Sequence, residues 1–179
     1  MLKREKTGLI VVDVQGKLAR LVADSEQLIA SCSALIQGAQ SLSLPIVWLE
    51  QNPDKLGATV EELTQHLSGQ APISKFAFGA CGEPECLRAI QSVDVETWLV
   101  CGIEAHICVY QTVLGLRELG YQVEVVQDGV ASRSPSDKQL ALSKLASVGV
   151  LSTSVEMALY ELVQDCRDPA FRSILQLIK

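Results

Sequence analysis

Six short apolar segments alternate with helix-like stretches, and this alternation constrains the fold more than any other feature of the chain. The apolar segments cover residues 8–14, 45–50, 71–75, 97–101, 121–126 and 149–151. The helical patterns cover residues 24–43, 59–67, 83–92, 110–119 and 136–148, with a last one ending near residue 165. Strands with helical connections form parallel sheets covered on both faces. The sequence therefore predicts an α/β fold: a three-layer α/β/α, Rossmann-like arrangement with a six-stranded, mainly parallel sheet in the order 3-2-1-4-5-6.

The C-terminal third carries two helix-start signals and an apolar tail. Ser136-Asp137-Lys138-Gln139 has the pattern of a capping box, in which side chains pair with the free N–H groups of a first turn. Thr153-Ser154-Val155-Glu156 predicts the cap of the next helix. The tail, residues 171–178, either folds back as a final helix or packs on a neighbouring subunit, because soluble monomers avoid exposed apolar patches.

The composition indicates a globular protein and narrows its partners. Of 179 residues, 48% are hydrophobic and 20% are charged, which is the opposite of a disordered chain. We expect one domain, residues 1–179, since no linker-like or repetitive tract interrupts it. A net charge of −6 without a basic cluster disfavours nucleic acid and membranes. No signal peptide or membrane span is predicted, so we expect a cytoplasmic location with reduced thiols.

Three reactive side chains fall at or just beyond the carboxyl ends of predicted strands: Asp13, Lys75 and Cys108. Open α/β sheets bind their ligands at that edge. Asp13 interrupts an apolar run, and a buried carboxylate needs a partner such as a lysine or a thiol. Singly, each residue has an ordinary explanation as a turn cap, a surface charge or a core cysteine. In the predicted order Lys75 lies two strands, about 10 Å, from the first strand and has to reach back.

Cys108 is singled out among the cysteines by its position at a strand-to-helix turn. Unpaired backbone N–H groups at a helix start favour an anion, so this position predicts a lowered thiol pKa. His106 is two residues away, and residues with that spacing do not face each other on a helix. We therefore expect His106 to position the turn or to contact substrate, with direct pairing to Cys108 as the alternative.

Candidate ligands for a metal or cofactor are few. The chain contains two histidines, His66 and His106, far apart in the sequence. Cys81 and Cys86 are separated by four residues rather than by the two of zinc knuckles and thioredoxin-type sites. Neither a glycine-rich nucleotide loop nor a serine-hydrolase elbow is present. We expect no metal, no cofactor and no structural disulfide.

Three motifs follow one another along the chain: Leu9-Ile10-Val11-Val12-Asp13-Val14-Gln15, Ile73-Ser74-Lys75-Phe76-Ala77-Phe78 and Gly102-Ile103-Glu104-Ala105-His106-Ile107-Cys108-Val109. In this order and spacing the sequence resembles the isochorismatase-like hydrolases, the cysteine-hydrolase family that includes nicotinamidases and N-carbamoylsarcosine amidohydrolase. The resemblance covers nearly the whole chain. Leu49-Glu50-Gln51-Asn52-Pro53, with Leu56-Gly57, is most similar to the branch of small isochorismatase-domain proteins.

The resemblance implies a role for each matching residue. Cys108 corresponds to the nucleophile, Asp13 to the general base, and Lys75 to the cation that lowers the thiol pKa and orients the pair. The family has a non-proline cis peptide upstream of the nucleophile, which falls here between Ile103 and Glu104. This bond would direct the Glu104 N–H, together with the Cys108 N–H, at a developing oxyanion.

Departures from the family pattern narrow the expected reaction. Nicotinamidases carry a metal-binding Asp-x-His motif where this chain has Glu50-Gln51-Asn52-Pro53, and true isochorismatases lack the cysteine. The resemblance thus implies a metal-independent cysteine hydrolase that cleaves a C–N bond of a small amide, ureide or carbamoyl compound through a thioester. The alternatives are a non-catalytic oligomeric binding or assembly module with the same fold, and a redox-reactive cysteine protein.

Gln51, Phe76, Phe78 and His106 are the candidate substrate-binding residues. Only 4% of the chain is aromatic, so two phenylalanines beside Lys75 suggest a pocket wall, with a satellite core as the alternative. The chain is acidic, and Lys75, the cation expected near the site, already acts on the thiol. Both points favour a neutral or weakly charged small substrate. Because the family forms dimers and larger closed assemblies, we favour a homo-oligomer with the tail at its interface.

Overall fold

The first strand, β1 (Thr7–Val12), lies inside the sheet, and all six of its residues are buried in the computed structural model, which describes residues 1–179. Burial on both faces is typical of a parallel sheet and explains the continuous apolar run. The neighbours of β1 are β2 (Ile46–Gln51) and β4 (Thr97–Ile103), and both run parallel to it.

The remaining strands are β3 (Ile73–Lys75), β5 (Gln122–Ala131) and β6 (Leu151–Thr153). The six strands form one sheet in the order β3-β2-β1-β4-β5-β6, and every pair is parallel. This confirms the predicted class and strand order. The order in which strands are added to the sheet reverses between β1 and β4, and the carboxyl ends of these two strands form the crevice that the candidate site occupies.

Nine α-helices cover the sheet: α1 (Leu18–Leu21), α2 (Ser25–Ser41), α3 (Pro53–Leu56), α4 (Glu61–Thr64), α5 (Pro84–Gln91), α6 (Tyr110–Glu118), α7 (Pro135–Ser147), α8 (Val155–Val163) and α9 (Phe171–Ile178). One core cluster of 29 buried residues packs α2, α8 and α9 on one face, and a second of 22 packs α5, α6 and α7 on the other. Two apolar layers of similar size are what a three-layer α/β/α arrangement requires. None of these helices combines the length and apolar character of a membrane-spanning segment.

The predicted start of α7 is wrong, whereas that of α8 is confirmed. Helix α7 begins at Pro135 after Ser134, and its N-terminus has no side-chain cap. The Ser136 hydroxyl instead lies 2.7 Å from the Ser134 hydroxyl, so the residues of the expected capping box are already inside the helix. At α8, the Ser154 hydroxyl accepts a hydrogen bond from the Met157 N–H at 3.2 Å.

The apolar tail forms α9 and folds back on its own chain. Ile174 is fully buried, and Phe171, Leu177 and Ile178 pack against the core cluster beside α2. Phe171 also meets Tyr160 of α8 edge to face, with ring centroids 6.1 Å apart. The tail therefore takes the first of the two predicted arrangements, a final helix on its own core, while a contact of its half-buried residues with a second subunit stays a prediction. The homo-oligomer itself stays a prediction, to be measured by sedimentation.

Candidate functional site

Asp13 is the first residue after β1, and two backbone features place it. A side chain at Gly102 of β4 would collide with the Val12 carbonyl oxygen, so glycine lets β4 approach β1 closely just before this turn. Asp13 itself has a positive φ of 53°, and its N–H donates to the Leu49 carbonyl at 3.2 Å. The carboxylate is thereby directed into the crevice, where it is 2% exposed.

Lys75, at the end of β3, reaches back to Asp13 as predicted. Its side chain is fully buried, and its Nζ donates to Asp13 Oδ2 at 2.8 Å. The same Nζ lies 2.7 Å from Gln51 Oε1, 2.9 Å from the Phe78 carbonyl oxygen and 3.3 Å from that of Ala77. An ammonium group has three protons to donate, and these four acceptors engage all of them. Lys75 therefore holds the site together and has no donor left for a substrate.

Cys108 lies in a π-helical turn, Ala105–Val109, that joins β4 to α6. The Val109 N–H donates to the Glu104 carbonyl at 3.3 Å, which gives the turn its wide geometry. The Cys108 residue is 8% exposed and lies in the field of Asp13, Lys75 and Glu104. Asp13 Oδ1 is buried, and no N–H or O–H group of the protein donates to it. The Cys108 side chain lies within hydrogen-bonding influence of Asp13, so the thiol is the neighbouring group whose proton this oxygen can take.

The pKa of Cys108 is raised to about 12, first by burial and then by the Asp13 carboxylate, while Lys75 lowers it less. The lowered thiol pKa predicted from the helix start is therefore wrong, because the turn buries the thiol beside a negative charge. Burial also raises the pKa of Asp13, and Lys75 offsets part of this effect. At neutral pH the sulfur is a thiol next to a carboxylate, so a proton transfer between them has to accompany any nucleophilic attack.

Gln51, at the end of β2, supports Lys75. Its Oε1 accepts from Lys75, and its Nε2 donates to the Phe76 carbonyl at 2.8 Å. Its backbone N–H in turn donates to Gln15 Oε1 at 2.7 Å. These contacts show a positioning role, which the sequence did not predict, and its contact with substrate stays a prediction.

Phe76 and Phe78 lie on the segment whose carbonyls receive Lys75. Phe76 is 70% exposed and Phe78 is 53% exposed. The alternative that both belong to a satellite core is therefore wrong. Their place beside the site leaves a pocket-wall role open, as predicted.

The π-helical turn is held from the far side by residues that follow β5. The Ile103–Glu104 peptide is cis, at the position that the resemblance implies. The buried Glu104 side chain accepts hydrogen bonds from the N–H and the Nε of Arg133 at 2.9 and 3.0 Å.

His106 contacts the same segment after β5. Its Nδ1 lies 2.9 Å from the Ser132 hydroxyl, so the histidine is not paired with Cys108. Ser132 and Arg133 were not predicted as site residues, because the fifth strand was expected to end at residue 126 and it continues to Ala131.

No cluster of three or more His, Cys, Asp or Glu side chains has an arrangement that could hold a metal ion. Glu50, which stands in the stretch where nicotinamidases have metal ligands, instead accepts hydrogen bonds from the backbone N–H and the hydroxyl of Thr59, both at 2.7 Å. A metal-independent reaction stays a prediction.

Comparison with known proteins identifies relatives along nearly the whole chain. Isochorismatase domain-containing protein 2 of Danio rerio is 34% identical over 170 residues, covering 95% of this chain and 85% of that protein. The secreted isochorismatase effector Isc1 of Phytophthora sojae is 34% identical over 176 residues, covering 96% and 83%. Because that relative is described as secreted, the cytoplasmic location of this chain stays a prediction.

Structural comparison agrees with the sequence comparison. The solved structure of the MAR1 ribonuclease from Caenorhabditis elegans superposes with a TM-score of 0.93 at 34% identity, covering 99% of this chain and 91% of that one. The isochorismatase domain family matches residues 7–157, which include every candidate catalytic residue. The chain belongs to the isochorismatase family.

Proposed function

We propose that this chain is a cysteine hydrolase that cleaves a C–N bond of a small amide, ureide or carbamoyl compound through a thioester, without a metal. The observation that carries the proposal is the buried Asp13–Lys75 ion pair beside Cys108. One carboxylate oxygen is fixed by Lys75, and the other is buried, with no N–H or O–H donor and with the Cys108 thiol beside the carboxylate. A nucleophile, a base within its reach and a group that orients the base are the parts that covalent catalysis requires.

In the first step the thiol attacks the substrate carbonyl. As the Sγ–C bond forms, the thiol proton passes to Asp13 Oδ1 and the carbonyl becomes an oxyanion. The Glu104 N–H donates no hydrogen bond within the chain, so it is free to receive that oxyanion together with the Cys108 N–H. When the tetrahedral species collapses, Asp13 gives its proton to the leaving nitrogen and the C–N bond breaks.

In the second step water hydrolyses the thioester. Asp13, again a carboxylate, takes a proton from the attacking water, and the same backbone donors receive the second oxyanion. The C–S bond then breaks, the sulfur regains its proton from Asp13, and the acid product leaves. Lys75 keeps Asp13 in place in both steps, since its donors are all engaged.

The rim of the site supports a small and weakly charged substrate. Phe76 and Phe78 are exposed beside the segment bound by Lys75 and offer apolar contacts. We assign His106 a contact or positioning role on the opposite side and keep Gln51 as a candidate contact. Lys75 is the cation that contacts Asp13, and the Asp13 carboxylate neutralises its charge.

The second candidate is a non-catalytic binding or assembly module. The observation in its favour is that the pKa of Cys108, at about 12, is that of a buried and protonated thiol. Inert core cysteines share this property. The two candidates differ in whether Asp13 takes the proton from the thiol.

The deciding experiment is a hydrolysis screen of small amides, ureides and carbamoyl compounds with wild type, Cys108→Ala and Cys86→Ala. Single-stranded RNA is included because the Caenorhabditis elegans relative is described as a ribonuclease. We expect turnover of a C–N substrate by wild type and Cys86→Ala, insensitive to chelators, and its loss in Cys108→Ala. Residual activity of Cys108→Ala above about a tenth of wild type would contradict the nucleophile assignment, because losing a covalent nucleophile costs several orders of magnitude. Cleavage of RNA alone would contradict the substrate class.

A further inference from the structure

A short backbone pairing braces the turn that carries Asp13. Residues 58–60 run antiparallel to residues 14–16: the Gly16 N–H donates to the Ala58 carbonyl, and the Val60 N–H donates to the Val14 carbonyl, both at 3.0 Å. Gly16 has a positive φ of 45°, and a Cβ there would collide with the Leu56 carbonyl oxygen. The two segments are therefore in direct backbone contact, and the turn after Asp13 cannot move independently of residues 58–60.

Residues 58–60 are in turn fixed to β2 by a buried carboxylate. Glu50 is 5% exposed, and its Oε1 accepts from the N–H and the hydroxyl of Thr59, both at 2.7 Å. The Thr59 hydroxyl also accepts from Trp48 Nε1 at 2.8 Å, so both of its roles are occupied. Burying a carboxylate is costly unless donors compensate it, and hydrogen bonds to a charged acceptor are the strong ones.

We propose that the Glu50–Thr59 pair is a positioning device for Asp13: it fixes residues 58–60 against residues 14–16 and so aims Asp13 Oδ1 at the Cys108 thiol. This inference rests on the proposed function, because it assigns the pair a role in the proton transfer from Cys108. Both residues are buried and act through Asp13, so neither is a catalytic residue. The charge of Glu50 acts in addition, since it raises the pKa of Asp13.

The test uses iodoacetamide, a small amide that reports on Cys108 without a known substrate. In that reaction the Sγ–C bond forms, the C–I bond breaks, iodide leaves and the thiol proton passes to Asp13. The rate of Cys108 labelling is followed by mass spectrometry in wild type, Thr59→Val and Thr59→Ser. We expect Thr59→Val, which removes the hydroxyl, to label about tenfold more slowly, because small misplacements of reacting groups are costly. Thr59→Ser keeps the hydroxyl and is expected to stay within about twofold of wild type.

A second variant separates positioning from a merely structural role. Glu50→Gln keeps an acceptor oxygen for Thr59 and removes the negative charge beside Asp13. Because that charge raises the pKa of Asp13, its removal is expected to move the acidic limb of the labelling profile to lower pH. A structural role alone does not move this limb. Labelling of the fully buried Cys32 and Cys101 monitors general loosening in every variant.

The outcomes separate this proposal from the proposed function. Equal rates for wild type and Thr59→Val overturn the positioning role, while a selective loss at Cys108 supports it. If Thr59→Val also exposes Cys32 and Cys101, the Glu50→Gln profile decides, and an unmoved acidic limb overturns the proposal. A wild-type Cys108 that labels no faster than that of Asp13→Asn contradicts the proposed function itself, and the positioning role falls with it.

Discussion

The Lys75 half of the site and the Cys108 half differ in how completely their polar groups are paired. Around Lys75, four acceptors engage every proton of the ammonium group. Around Cys108, the Glu104 N–H donates to no group of the chain, and no N–H or O–H group donates to Asp13 Oδ1. Unpaired buried polar groups are costly and rare, so two of them beside one thiol call for an explanation. The paired half holds a charge in place, and the unpaired half is left for the reacting atoms.

The largest effect on stability is expected when Lys75 is removed from the paired half. Lys75→Met leaves the Asp13 carboxylate buried without its cation and is expected to lower the free energy of unfolding at pH 7 by about 3–5 kcal/mol. Asp13→Asn/Lys75→Met removes both charges and is expected to regain most of that loss. Lys6→Met breaks a 2.7 Å ion pair with the exposed Asp94 and serves as the control, with a much smaller expected cost because water screens exposed ion pairs. Urea unfolding measures all three. Equal losses of unfolding free energy in Lys75→Met and Lys6→Met would contradict the difference between the buried and the exposed ion pair.

A smaller effect is expected from the thiol of the unpaired half, at alkaline pH. The folded-state pKa of Cys108 is raised from 9.0 to about 12, so above pH 9 the folded protein retains a proton that the unfolded chain loses. The stabilisation is complete below pH 9 and decreases as the pH rises towards 12. Between pH 9 and 10 wild type is expected to lose about 1 kcal/mol more than Cys108→Ala. Parallel pH profiles of the two proteins, measured by urea unfolding, would show that the thiol pKa is not raised.

The smallest effects on stability are expected at the rim of the site, which Phe76 and Phe78 form. Phe76→Ser and Phe78→Ser change exposed side chains and are expected to alter the free energy of unfolding by less than about 0.5 kcal/mol. Their effect should instead appear in KM for the substrate that the hydrolysis screen identifies. Ile174→Ala, a fully buried position of α9, is the contrasting control, with an expected cost of about 2–5 kcal/mol. A large loss of stability in either variant would show that these phenylalanines belong to the core.

The central strands could be predicted from the sequence, and the peripheral elements less well. Strands buried on both faces, such as β1 and β4, are continuous apolar runs with no competing interpretation. The end of β5 was missed because the polar residues Gln127 and Asp128 interrupt the apolar pattern, although the strand continues to Ala131 with a register shift against β4. The direction in which the tail packs could not be predicted, because an apolar helix face fits its own core or a neighbour equally well.

The candidate site could likewise be predicted only in part. Asp13, Lys75 and Cys108 could be predicted together because strand ends of a parallel sheet meet at one edge. The contacts that set their chemistry join residues distant in sequence, such as Glu50 with Thr59 and Glu104 with Arg133. For Cys108, the sequence showed a helix start but neither the burial nor the carboxylate. These two effects dominate, and so the predicted direction of its pKa shift was wrong.

The proposed mechanism depends most on whether Asp13 takes the proton from Cys108. The direct measurement is the rate of Cys108 labelling by iodoacetamide at pH 7 in wild type, Asp13→Asn and Asp13→Asn/Lys75→Met. If Asp13 is the base, both variants are expected to react about a hundredfold more slowly, the contribution typical of a general base. If the carboxylate only raises the pKa of the thiol, its removal makes the thiolate easier to form. Labelling that is unchanged or faster in both variants would contradict the account.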